Sequence, residues 1–343
     1  MTRNSLSSAL ALLLVFPWAQ SPGQSRQTNS WQQLRAPNGG IALSLGTRPD
    51  GQIIAGTFGG GIFLSVDQGH TWESTNKGLT DLDVFAVVVD PEGRAFAGTF
   101  GGGIYRLGYN DTEWTPVNEG LSSREILSLS VTPGGHLLAG TSEDGVFFSN
   151  NGGSYWWPVG LRGHFITSVA ANRVGHLFAA TTEGIHRSIN NGRSWVRVDE
   201  EMESNDIRVI ALNEKEQIFA ATNGGGMYRS TDNGNSWKRL PRGLTNHSIG
   251  SVAFGPAGVI YCGTAVGIFS SSDNGEHWSR LNTGLPNLSV RSLAITSLGY
   301  IFAGTTAGGI FRGSLNRISS RSEIGGDSFL GSIIYPGTQK SSP

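Results

Sequence analysis

Seven tryptophans keep time along this 343-residue chain: Trp31, Trp72, Trp114, Trp156, Trp195, Trp237 and Trp278 recur at intervals of roughly 40 residues. A second marker, two small residues followed by threonine, keeps the same interval at Thr57, Thr99, Thr141, Thr181, Thr222, Thr264 and Thr305. Two markers in step require one structural unit copied along the chain, so the repeat forms one domain where length alone would allow two. Glycine reaches 50 residues without a collagen period. At fixed places in a repeat it marks turns that need positive φ or close backbone approach.

The content of one unit follows from its apolar runs. In the clearest copy, 249–254 is a short apolar strand, Gly255-Pro256-Ala257-Gly258 a turn, and 259–264, 267–271 and 278–281 are three further strands. Four short strands joined by tight turns make an antiparallel meander, which cannot bury both its faces alone. Stacked radially, each meander covers the next, so the expected architecture is all-β: a seven-bladed β-propeller of four-stranded antiparallel blades. The count begins mid-unit. The segment starting at Trp31 is a fourth strand without its first three, and the segments near 295, 300–305 and 309–312 are three strands without a fourth. The N-terminal strand is therefore expected to pair with the C-terminal blade and close the ring, removing two exposed edges.

Between the third and fourth strands lies a recurrent turn. Ser65-Val66-Asp67-Gln68-Gly69-His70-Thr71-Trp72 returns as Ser230 to Trp237 around Asp232 and as Ser271 to Trp278 around Asp273. Asn151 and Asn190 stand in for the aspartate in two weaker copies, and Tyr109-Asn110-Asp111 is a degenerate one. The side-chain oxygen at this position can accept backbone N–H groups inside the turn, glycine takes the left-handed conformation, and the tryptophan packs between adjacent strands. The calcium reading of Asp-x-Asx-Gly fails because the rest of the twelve-residue ligand pattern is missing. No metal and no cofactor is expected.

These turns resemble the Asp-box, or BNR, repeats of sialidases, sortilin-type receptors, xyloglucanases and photosystem II assembly-factor propellers, over about residues 31–312. The resemblance implies the fold; it leaves activity open. A sialidase needs three arginines on the substrate carboxylate and a tyrosine nucleophile, on six blades. Here Leu34-Arg35-Ala36-Pro37 is the only faint match, and Tyr105, Tyr228 and Tyr261 fall in slots that other units fill with phenylalanine. Arg106, Arg187, Arg229 and Arg312 likewise share one slot and belong to the scaffold. Xyloglucanase-type enzymes use a cleft between two propellers, and this chain supplies one.

In a meander the turns after strands one and three share one face of the ring, which here carries the Asp-boxes; ligand recognition is expected on the other. Residues that depart from the repeat are the candidates. After the threonine marker the units read Phe58, Phe100, Ser142, Thr182, Asn223, Ala265 and Thr306, and the acidic groups Glu143, Asp144 and Glu183 follow in two of them. Near the start of strand one they read Ala42, Phe85, Leu127, Thr167, Arg208, Gly250 and Arg291. Phe58, Phe100, Glu143, Asp144, Glu183, Arg208 and Arg291 are thus the candidate binding residues, able to stack on and hydrogen-bond a sugar or an extended peptide. No catalytic residue is assigned. The favoured reading is a non-catalytic binding or scaffold propeller for a protein or glycan. The alternative is a glycoside hydrolase using rim carboxylates such as Asp144 and Glu183.

Net charge of −1 without a basic run argues against nucleic acid. Arg3, the apolar stretch 9–18 and the small residues after it read as a signal peptide over 1–23, giving a secreted or periplasmic protein with no later membrane span. The propeller is expected over 24–313, as a monomer, followed by a flexible Ser/Gly-rich tail at 314–343 with an apolar island at 329–335. The single cysteine, Cys262, excludes an internal disulfide and reads as a small core residue, since alanine fills its slot elsewhere.

Overall fold

The computed structural model describes residues 31–34, 40–286 and 288–315. The proposed signal peptide, Arg35-Ala36-Pro37 and the apolar island of the tail lie outside them. Seven four-stranded antiparallel sheets are present. Blade 1 comprises Ile41–Thr47, Ile53–Phe58, Gly61–Ser65 and Glu73–Ser74; blades 2 to 6 repeat this order, beginning at Val84, Ile126, Ile166, Ile207 and Ile249. Blade 7 is composite: Val290–Ile295, Tyr300–Thr305 and Ile310–Ser314 are completed by Trp31–Gln33 from the other end of the chain. The register there is Trp31 opposite Gly313 and Gln33 opposite Phe311. The expected closure is therefore what the structure has.

Each marker has a mechanical reason. In blades 2 to 6 the second strands are buried up to their threonine, for example Ala95–Thr99 and Leu137–Thr141, because each lies between two neighbouring blades; in blade 1 the strand runs one residue further, to the exposed Phe58. The hydroxyl of the threonine ending each strand turns back to a carbonyl of the following hairpin: Thr57 to Gly61, Thr141 to Gly145, Thr222 to Gly226 and Thr264 to Gly267, at 2.8–2.9 Å. Threonine thus satisfies a buried acceptor where the chain reverses. The tryptophans do not pack between strands of one sheet, as the sequence suggested. They reach across to the preceding blade: the Nε1 of Trp156, Trp195 and Trp237 donates to the carbonyls of Val117, Val159 and Val198, and that of Trp31 to Leu281 at 2.6 Å. The indole is long enough to span the gap between blades. At these four positions its N–H finds a carbonyl there, while the buried Nε1 of Trp72, Trp114 and Trp278 has no partner among the described residues. Cys262 is fully buried in this core, and burial pushes its thiol well above the usual range.

The Ser-x-Asx turn closes as its chemistry requires. Asp67 Oδ1 accepts from the Ser65 hydroxyl and the Thr71 N–H at 2.9 and 2.8 Å, while the Gly69 N–H donates to Ser65 Oγ at 2.7 Å. Asp232, Asp273, Asn151 and Asn190 repeat the bond from the serine hydroxyl. The third-strand arginines then bolt neighbouring blades together. Arg312 of blade 7 donates to the Gln68 carbonyl of blade 1, and Arg106 to Gly152, Arg187 to Asn233 and Arg229 to Asn274 do the same at three later seams.

Candidate binding face

The first strand of every blade lines the central channel, and every one carries an irregularity near its start. Pairing to the second strand skips one residue: Leu43 between Ala42 and Ser44, Phe85 between Val84 and Ala86, and the equivalents Leu127, Thr167, Arg208, Gly250 and Arg291. A bulge re-aims the unpaired side chain. It also corrects the sequence alignment in blade 1, where the residue of this ring is Leu43; Ala42 is paired with Thr57 and buried. These strand starts lie on the face opposite the Ser-x-Asx turns, so the seven bulge residues form a ring at that mouth of the channel. The ring is divided. Leu43, Phe85 and Leu127 make an apolar arc on blades 1 to 3, while the other four positions are Thr167, Arg208, Gly250 and Arg291, two of them arginine.

Beside the apolar arc stand the phenylalanines singled out from sequence. Phe58 and Phe100 are 50% and 41% exposed, whereas the aromatics of the third-strand slot, such as Phe63, Tyr105 and Phe147, are buried. They do not touch each other. Phe85, which the sequence reading left out of the site, lies between them, edge-on to Phe58 at 6.3 Å and stacked on Phe100 at 5.3 Å. Leu82, 39% exposed, belongs to the connection that crosses this face from blade 1 to blade 2. Asp81 holds that connection down, accepting the Gly101 and Gly102 N–H groups. The apolar patch is therefore carried on a pinned backbone.

The charged candidates sit in local pairs. Asp144 accepts from Ser122 Oγ at 2.8 Å and faces Arg162 Nε at 3.4 Å. Glu143 is exposed and its carbonyl receives the Gly163 N–H. Glu183 faces His164 Nε2 at 3.6 Å. Arg208 pairs with Asp206 at 3.1 Å, and Arg291 is exposed on the last blade. No recorded contact joins the carboxylates to the two arginines among the described residues.

Blade 4 adds a pair the repeat pattern did not reveal. His186 occupies the slot held by Phe63, Tyr105 and Phe147 in blades 1 to 3, and the His164 ring meets it at 5.2 Å. Burial first, and the neighbouring His164 second, hold the His186 imidazole below its usual 6.5, against opposing pulls from Asp199 and Glu183. Nδ1 of both rings is buried without a hydrogen-bond partner. His164 was illegible because it lies in a connection, outside the aligned strands.

These features define a closed seven-bladed propeller with one patterned channel mouth. No family model matches the sequence, and no curated protein matches it. Among solved structures the chain is similar to the extracellular domain of the hybrid two-component system protein BT3049 from B. thetaiotaomicron, with a TM-score of 0.70 at 18% identity. That likeness covers 86% of this chain and 42% of the other. YCF48 bound to a D1 peptide gives a TM-score of 0.67 at 16% identity, covering 84% of this chain and 98% of that one. The GH74 xyloglucanase of Xanthomonas campestris gives 0.64 at 17% identity over 83% of this chain and 53% of the enzyme. At such identities the likeness establishes the fold.

Proposed function

We propose that this chain is a non-catalytic Asp-box propeller, exported to the periplasm or cell exterior, that binds a partner through the channel mouth opposite the Ser-x-Asx turns. The observation that carries this reading is the exposed Phe58–Phe85–Phe100 cluster, set on bulged and pinned backbone beside an apolar arc that faces two arginines. Aromatic anchors with a charged flank suit an extended protein segment carrying an apolar side chain and an acidic one. A glycan stacking on the same rings is the second ligand class. Propellers of this fold include one solved with a bound peptide and one named a xyloglucanase, so both classes have precedent in the architecture. The extracellular domain among the similar structures supports export. No helix among the described residues is long and apolar enough to cross a membrane.

Selection of displayed peptides against the full chain tests the reading. Enriched sequences combining an aromatic or aliphatic residue with an acidic one are expected, and their affinity should fall about tenfold or more in a Phe85→Ser, Phe100→Ser double variant, as for removal of interface anchors. Unchanged affinity in that variant refutes the site. Release of sugar from oligosaccharides, lost on Asp144→Asn or Glu183→Gln, replaces the binding reading with the hydrolase one.

A further inference from the structure

The Ser-x-Asx face carries its own exception. At five of the turns the carbonyl of the left-handed residue or of its neighbour is reached from the preceding blade. Arginine guanidinium groups meet it at five seams: Arg312 on Gln68, Arg106 on Gly152, Arg187 on Asn233, Arg229 on Asn274, and at the degenerate turn Arg48 on Tyr109. At the seam between blades 3 and 4 the arginine slot holds Phe148. Asn191 there has the same left-handed backbone, φ 58°, as Gln68, Asn233 and Asn274. Among the described residues no donor is recorded on its carbonyl. A cleft of about 480 Å³ lies at this seam, lined by Pro133, His136, Phe148, Asn150, Val174 and Asn191 among others. His136 stands edge-on to Phe148 at 5.3 Å and fixes that ring as one wall.

We propose that this cleft seats an arginine side chain of a partner polypeptide. The five seams with an arginine state what chemistry the place accepts: a planar donor group lodged between blades, bonded to the turn carbonyl. Here the scaffold guanidinium has been exchanged for an aromatic face, on which an incoming guanidinium stacks while it donates to the Asn191 carbonyl. Two cations bear on the site. Arg173 lines the cleft, yet its guanidinium is drawn across the next seam to Glu216 at 3.6 Å and to the Glu214 carbonyl at 3.3 Å. Arg193 occupies the turn position at which Asn235 bonds Arg187 and Glu276 bonds Arg229. Its charge opposes a guanidinium and sets the affinity low. Seam 3/4 lies across the ring from blade 7, far from the chain ends.

Titration of the full protein with N-acetyl-arginine methylamide, followed by NMR or calorimetry at low salt, tests this. Saturable millimolar binding is expected, the range of a single anchored side chain of roughly 4 kcal/mol. Phe148→Arg restores the scaffold contact and should weaken the probe about tenfold or more, because the protein's own guanidinium fills the place. Arg193→Glu recreates the blade 6 pairing and should tighten it about three- to tenfold. The citrulline analogue, isosteric and uncharged, should bind about tenfold more weakly than arginine. Absence of saturation in both the wild type and Arg193→Glu overturns the proposal. So does equal binding by Phe148→Arg, or equal binding of citrulline. If Phe148→Arg loses its cooperative melt, the Arg193→Glu and citrulline arms decide alone.

Discussion

At the scale of single residues, the most informative departure is His186, a titratable ring where four other blades place phenylalanine. Its folded pKa lies below the ordinary 6.5, so the unfolded chain binds the proton more readily. Stability from the neutral ring is complete above about pH 6.5 and drains away as pH falls from there toward the folded value. The wild-type melting temperature should therefore drop on going from pH 7.5 to 5.5, and His186→Phe should flatten that drop; an identical fall in both proteins refutes the assignment. The turn aspartates contribute elsewhere on the scale. Hydrogen bonds from the Thr71 hydroxyl and N–H hold Asp67 at about 2; at Asp273 burial pushes upward, but the bonds from His277 and Ser271 prevail and also leave it at about 2. Being lowered acids, they lose their contribution only below the ordinary carboxylate value of 3.8, toward pH 2.

At the scale of the element, the Ser-x-Asx hairpin is a self-contained lock whose key atom is the buried serine oxygen. Ser230 donates to Asp232 and receives the Gly234 N–H at 2.8 Å each. Ser230→Ala keeps the volume but strands that buried N–H, so a loss of about 1–3 kcal/mol is expected in denaturant melts. A loss below a few tenths would show that water replaces the hydroxyl. The same hairpin explains why the arginines of the third strand were legible from sequence as scaffold while their partners were not. Arg187 is followed in the chain by its own turn, but it bonds the turn of the next blade, near Asn233. Sequence spacing shows the shared slot; only the stacking of blades shows what the slot faces.

At the scale of the whole molecule, closure depends on three residues near the start of the described chain. Trp31 is 2% exposed, pairs with Gly313 and donates to Leu281 of blade 6. Trp31→Ala should cost about 3–5 kcal/mol, as for other buried tryptophans, and broaden the thermal transition as blade 7 frays first. A sharp, unshifted melt would mean that the ring holds without this strand. The sevenfold count, the four-stranded meander and this joint were all readable from two markers and an incomplete unit at each end, because a closed ring leaves no other use for the remnants. The mouth was readable only in part. Phe58 and Phe100 stood out, but the unpaired residue of strand one carries no sequence mark of its own, and in blade 1 the sequence alignment puts it at Ala42, one residue short of Leu43. Phe85 likewise reads as an ordinary strand residue until the bulge turns it outward between its two neighbours.

The joint at blade 7 also fixes how the molecule presents itself. Trp31 enters and Leu315 leaves side by side, with the Leu315 N–H tied to Gly299 in a turn on the Ser-x-Asx face. The closing joint therefore opens on the side away from the phenylalanine cluster, and that mouth stays clear of the points where the described chain enters and leaves.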